Sequence, residues 1–378
     1  MIPSVLSSQV QKGVEDFLKT TFPVSTPFFH GVMERFLGED GGIFKGPYLS
    51  IKLPFRTASI SPDFFSGIPL RFPPYLHQEM AFRRLAGEQP TSTIIATGTG
   101  SGKTECFLYP ILDYCLRHRG EPGIKAIIIY PMNALATDQA KRMARLIHDN
   151  PNLKNQIKAG LYIGGQQGEQ TSKVMGRENV ITDRETLRLK PPDILLTNYK
   201  MLDYLLIRPR DFPLWKENGL ETLKYLVVDE IHTFDGAQGT DLACLIRRLK
   251  SRLKLEKERL CCVGTSATLG EKETLKICAY AGKVFGETFA ADAVITESLV
   301  SAEEFLSDSQ IELSNVISPE RAEALSPERY ESDQAYLAAQ YALWFGDAVD
   351  AGDETWPVTI AGKLRKHGFF WKLLLSLN

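Results

Sequence analysis

Between residues 92 and 266 short apolar runs recur at intervals, separated by longer stretches with apolar residues at helical spacing. The short runs are "STIIAT" (92–97), "KAIIIYP" (125–131), "IKAGLYI" (157–163), "DILLTN" (193–198), "KYLVVDE" (224–230) and "LCCVGTS" (260–266). They are rich in β-branched residues and nearly unbroken in apolar character, as strands covered on both faces are. Between them lie "KTECFLYPILDYCLRH", "NALATDQAKRMARLI", "YKMLDYLLI" and "GTDLACLIRRLKSRL", which read as amphipathic helices. The alternation predicts βαβ units and an α/β fold with a parallel sheet, whose ligands bind beyond the carboxyl ends of the strands.

The flanks read differently. "QVQKGVEDFLKTTF" and "TPFFHGVMERFL" have helical spacing, "GPYLSIKLPFR" alternates like a strand, and the proline-dense "GIPLRFPPY" reads as an extended connector. After about residue 290 the strand rhythm stops, and "ERAEALSPERYESDQAYLAAQYALWF" and "IAGKLRKHGFFWKLLLSL" predict helices. The expected organisation is an N-terminal accessory segment (1–75), an α/β domain (76–290) and a mostly helical extension (291–378).

Composition narrows the class. The chain has 378 residues, 43% of them hydrophobic and 24% charged, as in ordinary globular proteins. No apolar run approaches the ~18 residues that cross a bilayer, and the N-terminus lacks the pattern of a signal peptide, so the expected location is the cytoplasm. The net charge of −2 makes no global basic field, so a polyanion would have to be held in a local groove. The six cysteines form no CxxC pair and several sit in apolar runs, which predicts buried, reduced thiols and not a metal site.

The candidate chemistry starts at "IIATGTGSGKTE", residues 94–105. A strand, a loop with Gly98, Gly100 and Gly102, and a helix opening on Lys103-Thr104 make a phosphate cradle. Bare backbone lets N–H groups converge, and the helix N-terminus adds its positive end. Lys103 reaches the outer phosphates and the Thr104 hydroxyl ligates Mg²⁺. Thr97 stands where the P-loop pattern has its first glycine. "YLVVDEIH" brings the second element. Asp229 is the candidate Mg²⁺ carboxylate, and Glu230 is the candidate base that orients and deprotonates the attacking water.

"TGSGKT", "DEIH" and "GTSATL", in this order, resemble motifs I, II and III of superfamily 2 helicases of the DEAD/DEAH-box type. That family tolerates Thr at the position of Thr97. "ATGTGSGKTE", "YPMNALATDQ" and "TNYKMLDYLLIRPRD" are most similar to its Lhr/MrfA-like branch, which includes phage-defence helicases of the DISARM and Druantia type. The resemblance covers roughly residues 70–290. It implies a RecA-like domain that binds ATP with Mg²⁺ through Gly98, Gly100, Ser101, Gly102, Lys103, Thr104 and Asp229. Gln78 would read adenine, with Tyr75 or Phe72 as a stacking surface. His232, Ser266 and Thr268 would couple the nucleotide to nucleic-acid grip. Asn133, Gly165, Thr197 and Asn198 would hold the phosphodiesters of a tracked single strand. Such contacts carry no base information, so binding is expected to be sequence-tolerant and salt-sensitive.

The expected activity is ATP-driven translocation or unwinding, with DNA as the polymer and 3′→5′ direction, in phage defence or repair. An RNA helicase and a nucleotide-switched interaction module are the other readings. A phosphate-cradling small-molecule kinase leaves "SATL" and "PMNALATDQ" without a role. Helicases of this type place ATP between two RecA-like domains, the second bringing arginines. The stretch 269–378 shows no second βαβ series and no such arginine motif, so a further domain or subunit is expected. Other residues have simpler explanations: the basic run 246–259 reads as a solvated helix face, Arg208 and Arg210 as loop residues, Trp215 and Trp344 as packing, and His77 as capping or packing.

Overall fold

The computed structural model describes residues 3–38, 43–45, 48, 51–61, 63–70, 72–164, 171–267, 274–313, 317–323, 325–350 and 352–377. The chain divides into two compact units, one of residues 55–299 and the other of residues 1–54 with 300–378. The boundaries therefore fall outside those expected at 75 and 290. Phe65 and Ile68, ahead of residue 76, are buried with Phe82 in the core of the larger unit. Past residue 290, Val294–Thr296 adds a strand to its sheet.

That sheet has seven parallel strands: β1 (Thr93–Ala96), β2 (Ala126–Tyr130), β3 (Ala159–Tyr162), β4 (Ile194–Asn198), β5 (Tyr225–Val228), β6 (Cys261–Ser266) and β7 (Val294–Thr296). Their order is β3-β4-β2-β5-β6-β1-β7. The first six are the runs expected from the sequence. The seventh is a three-residue edge strand, too short for its periodicity to separate it from a loop. Alternate residues feed opposite faces, as strand geometry requires. Ala126, Ile128 and Tyr130 join one apolar cluster, with Phe107 and Ile111 of the Lys103–Arg117 helix and Met143 of the Asn133–Asp149 helix. Ile127 and Ile129 join the other, with Leu202 of the Tyr199–Ile207 helix and Leu242 and Ile246 of the Gly236–Leu253 helix. Each of these fully buried isoleucines contributes about 1.5–3 kcal/mol of transfer free energy. Both faces are thus covered, and the loops at the carboxyl ends of the strands remain free for ligands.

The smaller unit is helical among the described residues, including Pro3–Thr21, Asp333–Phe345, Trp356–Arg365 and Gly368–Leu377. Its buried cluster is Leu53, Ala302, Leu306 and Leu374. The strand expected over 46–56 is not found among its described residues. Residues 51–54 belong to no strand, and Phe55 makes only an isolated bridge to Leu299. Pro54 lacks the N–H a ladder needs. No described helix is long and apolar enough to cross a membrane. Five of the six cysteines are buried; Cys244, on the outer side of its helix, is exposed. Burial pushes the Cys106 and Cys261 thiols up to about 12, so neither ionises near neutral pH.

Candidate active site

The loop 97–102 leaves the sheet after Ala96, the last β1 residue paired to β6 and β7. Gly100 and Gly102 both have φ +78°, the left-handed region that glycine reaches without a Cβ clash. A Cβ on Gly102 would also collide with the Gln78 Nε2. The Thr97 and Ser101 hydroxyls, both buried, are 2.7 Å apart and tie the two ends of the loop. Thr97 thus replaces the glycine of the P-loop pattern with an internal brace.

Two side chains of the Leu76–Leu85 helix hold the exit of the loop. His77 Nε2 donates to the Ser101 carbonyl at 2.8 Å, and Gln78 Nε2 donates to the Gly102 carbonyl at 3.3 Å. The Gln78 Oε1 accepts from the Tyr75 N–H at 2.9 Å. A primary amide has two N–H groups and two lone pairs, so one of each is left for another partner. Tyr75 packs against Phe55 and His77, whereas Phe72 is 81% exposed.

The carboxylates arrive from β5. Val228 pairs with Gly264 in the parallel register, which sets Asp229 beside Thr265. The Thr265 hydroxyl donates to Asp229 Oδ1 at 2.5 Å and accepts the Glu230 N–H at 2.9 Å. Burial raises the Asp229 pKa above the ordinary carboxylate value; the Thr265 bond works against that rise and the neighbouring Glu230 carboxylate adds to it. Glu230 has φ 49° and ψ 52°, a left-handed conformation that costs a non-glycine residue about 1–3 kcal/mol. The sharp turn aims its carboxylate at the loop, where Lys103 Nζ lies 3.0 Å from Glu230 Oε1 and 3.3 Å from the Ser266 carbonyl. His232 Nδ1 is 3.2 Å from the Ser266 hydroxyl and 3.4 Å from Glu230 Oε2.

Lys103, Asp229, Glu230, His232 and Ser266 therefore converge at one end of the sheet. Thr268 lies outside the described residues. Thr265 was missed, although it makes the closest contact to Asp229. The signal was present in the offset of the two strands: the residue facing Asp229 is the threonine before "SAT".

The other candidates gather at the ends of β2, β3 and β4. Asn133 Nδ2 donates to the Gly164 carbonyl at 3.2 Å, and its Oδ1 accepts from Asn198 Nδ2 at 2.6 Å. Asn198 also caps its helix through the Met201 N–H at 2.7 Å. Thr197 is buried and its hydroxyl donates to the Tyr162 carbonyl at 2.7 Å. It braces the strand end and does not display a donor to solvent. Gly165 lies outside the described residues. Trp215 is buried with Nε1 on the Leu205 carbonyl, and Trp344 packs on Phe369 and His367.

A cleft of about 870 Å³ runs along the loop, lined by Phe72, Tyr75, Gln78, Gly98, Thr99, Gly100, Gly102, Lys103, Thr104, Glu105, Asp229 and Glu230. Arg142, Arg145 and Arg177 also line it, each paired with a carboxylate: Glu105, Glu178 and Asp149 respectively. Hard oxygen donors at Thr104 and Asp229, beside a phosphate cradle, fit Mg²⁺, which takes one or two protein oxygens and completes its shell with phosphate and water. The raised Asp229 pKa agrees, since a cation there would offset the cost of the buried charge.

The DEAD/DEAH box helicase family profile matches residues 75–277. Among curated proteins, the chain is 29% identical to the Druantia protein DruE of Escherichia coli (strain UMEA 4076-1), over 65% of this chain and 18% of that protein. It is 31% identical to the ATP-dependent helicase MJ1574 of Methanocaldococcus jannaschii, over 55% of this chain and 28% of that protein. It thus spans less than a third of the length of either relative. Among solved structures, the DUF1998 helicase MrfA bound to DNA and AMPPNP matches with a TM-score of 0.48 and 21% identity, over 78% of this chain and 41% of that one.

Proposed function

Because the chain belongs to the DEAD/DEAH box helicase family, we propose that it is the nucleotide-binding part of an ATP-driven translocase or helicase that tracks along single-stranded DNA. The observation that carries this reading is the contact of Lys103 with Glu230 at 3.0 Å, beside an Asp229 held by Thr265. Phosphates entering the cradle compete for Lys103. As its ammonium moves to them, the Glu230 carboxylate loses its partner and is free to take the proton of the attacking water. Mg²⁺ held by Thr104 and Asp229 would neutralise charge on the β- and γ-phosphate oxygens. The contact of Ser266 with His232, whose ring also meets Glu230, joins motif III to this base, so a change at the phosphates is felt on β6.

Turnover needs a further positive group on the transferring phosphoryl, and the arginines lining the cleft are already paired with carboxylates. We therefore assign that group to an arginine-bearing surface of another domain or subunit. DNA, the 3′→5′ direction and a cytoplasmic site of action follow the motif resemblance to the Lhr/MrfA-like branch. A phage-defence setting follows the Druantia relative, and repair is the other setting of that branch. The paired amides Asn133 and Asn198 support a sequence-tolerant phosphodiester contact. Comparing ATP turnover of the chain, together with the domain or subunit that brings this arginine, on single-stranded DNA and on RNA of equal length tests the reading. Stimulation by DNA is expected; stimulation by RNA alone would make the polymer RNA, and none by either would leave a nucleotide-switched module.

A further inference from the structure

We propose that Glu297 is a positioning residue of the phosphate loop, acting through its hydrogen bond to the Gly98 N–H. The inference rests on reading residues 97–104 as a nucleotide cradle. Glu297 directly follows β7, the edge strand beside β1. Its Oε2 accepts the Gly98 N–H at 2.8 Å. Ladder pairing of β1 ends at Ala96 on both sides, against Ser266 and Thr296, so Gly98 is where the backbone departs without a strand partner. The Glu297 side chain thus gives the Gly98 N–H an acceptor where the sheet no longer supplies one.

The arrangement divides the loop by chemistry. At its exit, His77 and Gln78 supply donors and draw the Ser101 and Gly102 carbonyls toward the Leu76–Leu85 helix. At its entrance, Glu297 supplies an acceptor and fixes the first glycine amide against β7. The Ser101 and Gly102 carbonyls are thereby engaged away from the loop's mouth, and the Ser101 N–H closes the turn onto the Gly98 carbonyl at 3.4 Å, which shapes the loop around an anion. The segment after Glu297 is itself tied down. Arg56 N–H donates to the Ser298 carbonyl at 2.8 Å, and the Arg56 carbonyl accepts the Leu76 N–H at 2.8 Å at the start of the helix that carries His77 and Gln78. The two anchors of the loop thus share a backbone connection, through which a shift of β7 would reach both ends of the cradle.

The test compares Glu297→Ala, which removes the acceptor, with Glu297→Gln, whose amide oxygen still reaches the Gly98 N–H. Calorimetric titration with MgADP gives affinity, amide hydrogen exchange over residues 94–102 gives loop order without nucleotide, and the melting temperature reports the fold. Glu297→Ala is expected to weaken MgADP binding about tenfold and to speed exchange at 94–102 by a similar factor, with little change in melting temperature. Glu297→Gln should stay within about twofold of wild type in both. Should the alanine variant not fold, Glu297→Asp, one methylene shorter, carries the same expectation. Wild-type exchange at 94–102 in the alanine variant would overturn the inference whatever nucleotide does. A lowered melting temperature with unchanged affinity would overturn it in favour of a merely structural bond, and equal losses in both variants would overturn the hydrogen bond as the carrier. If the wild-type chain took up no MgADP while exchange responded as expected, the positioning role would stand and the nucleotide reading would fall.

Discussion

At the ends of β1, β5 and β6 the site is charged and the charges hold one another, whereas at the ends of β2 and β4 it is neutral and held by amides. Lys103 contacts Glu230, and Asp229 is buried against Thr265. Asn133 and Asn198 instead bond to each other and to backbone. Both halves come from one parallel sheet, so the fold does not account for the difference. On the proposed function the ligand chemistry does, with ATP at the charged half and a nucleic-acid strand at the neutral one. A triphosphate concentrates charge that must be met and then redistributed in a reaction, which calls for groups whose partners can be exchanged. A phosphodiester strand has to be gripped and released repeatedly, and neutral donors do that without a large desolvation cost.

The largest expected effect falls on the charged half. Lys103→Ala should abolish detectable ATP turnover and weaken nucleotide binding, since it removes the cation that faces the phosphates and leaves Glu230 without its ammonium. Glu230→Gln should keep nucleotide bound and slow hydrolysis by about 10²–10⁴-fold, because the base is lost while Asp229 remains. Single-turnover hydrolysis beside nucleotide titration separates the two. Near wild-type turnover by Glu230→Gln would end its assignment as the base.

The neutral half should respond less and in another way. Asn133→Ala and Asn198→Ala should each weaken single-strand binding by about three- to tenfold. Because the two amides are bonded to each other, the double variant should lose scarcely more than either single one. Neither removes a charge, so the slope of affinity against salt should not change. Additive losses, or a shallower salt slope, would show that the pair does not act as one unit. Between the halves, Ser266→Ala should leave most of the ATPase and reduce its stimulation by the strand about two- to fivefold, by removing the hydroxyl that meets His232. Equal loss of basal and stimulated rates would make that hydroxyl structural.

How far the sequence could be read follows the same division. The residues of the charged half were singled out by type and spacing, and the fold brings Lys103, Asp229 and Glu230 together. The first six strands were legible because burial on both faces demands unbroken runs such as Ile127–Ile129. Thr265 was hidden because its role depends on the register between β5 and β6, which no single run contains. Glu297 was hidden because it follows an edge strand of three residues and meets a backbone amide almost two hundred positions away. In the neutral half, Thr197 looked like a ligand by its place in "LLTN". It is turned inward because its side chain falls on the buried face of the strand end, where its hydroxyl must find the Tyr162 carbonyl.

The smallest effect concerns what the charged half costs the fold. Burial raises the Asp229 pKa above its ordinary value, so the folded chain holds that proton more tightly than the unfolded chain does. A carboxyl shifted in this direction favours folding below its unfolded pKa, and that contribution is lost as the pH rises through the folded pKa. Above the ordinary carboxyl range the buried Asp229 is therefore a burden to the fold. Asp229→Asn keeps an oxygen for the Thr265 hydroxyl and removes the charge. It should abolish hydrolysis yet melt a few degrees higher than wild type at pH 7 without Mg²⁺. The gain should shrink as the pH falls and vanish below the ordinary carboxyl range, where both chains are neutral at this position. Melting temperatures from pH 3 to pH 8 measure it. A variant less stable than wild type at pH 7 would mean that the Lys103 ammonium already compensates the buried carboxylate, and that the charged half is balanced even before a ligand enters.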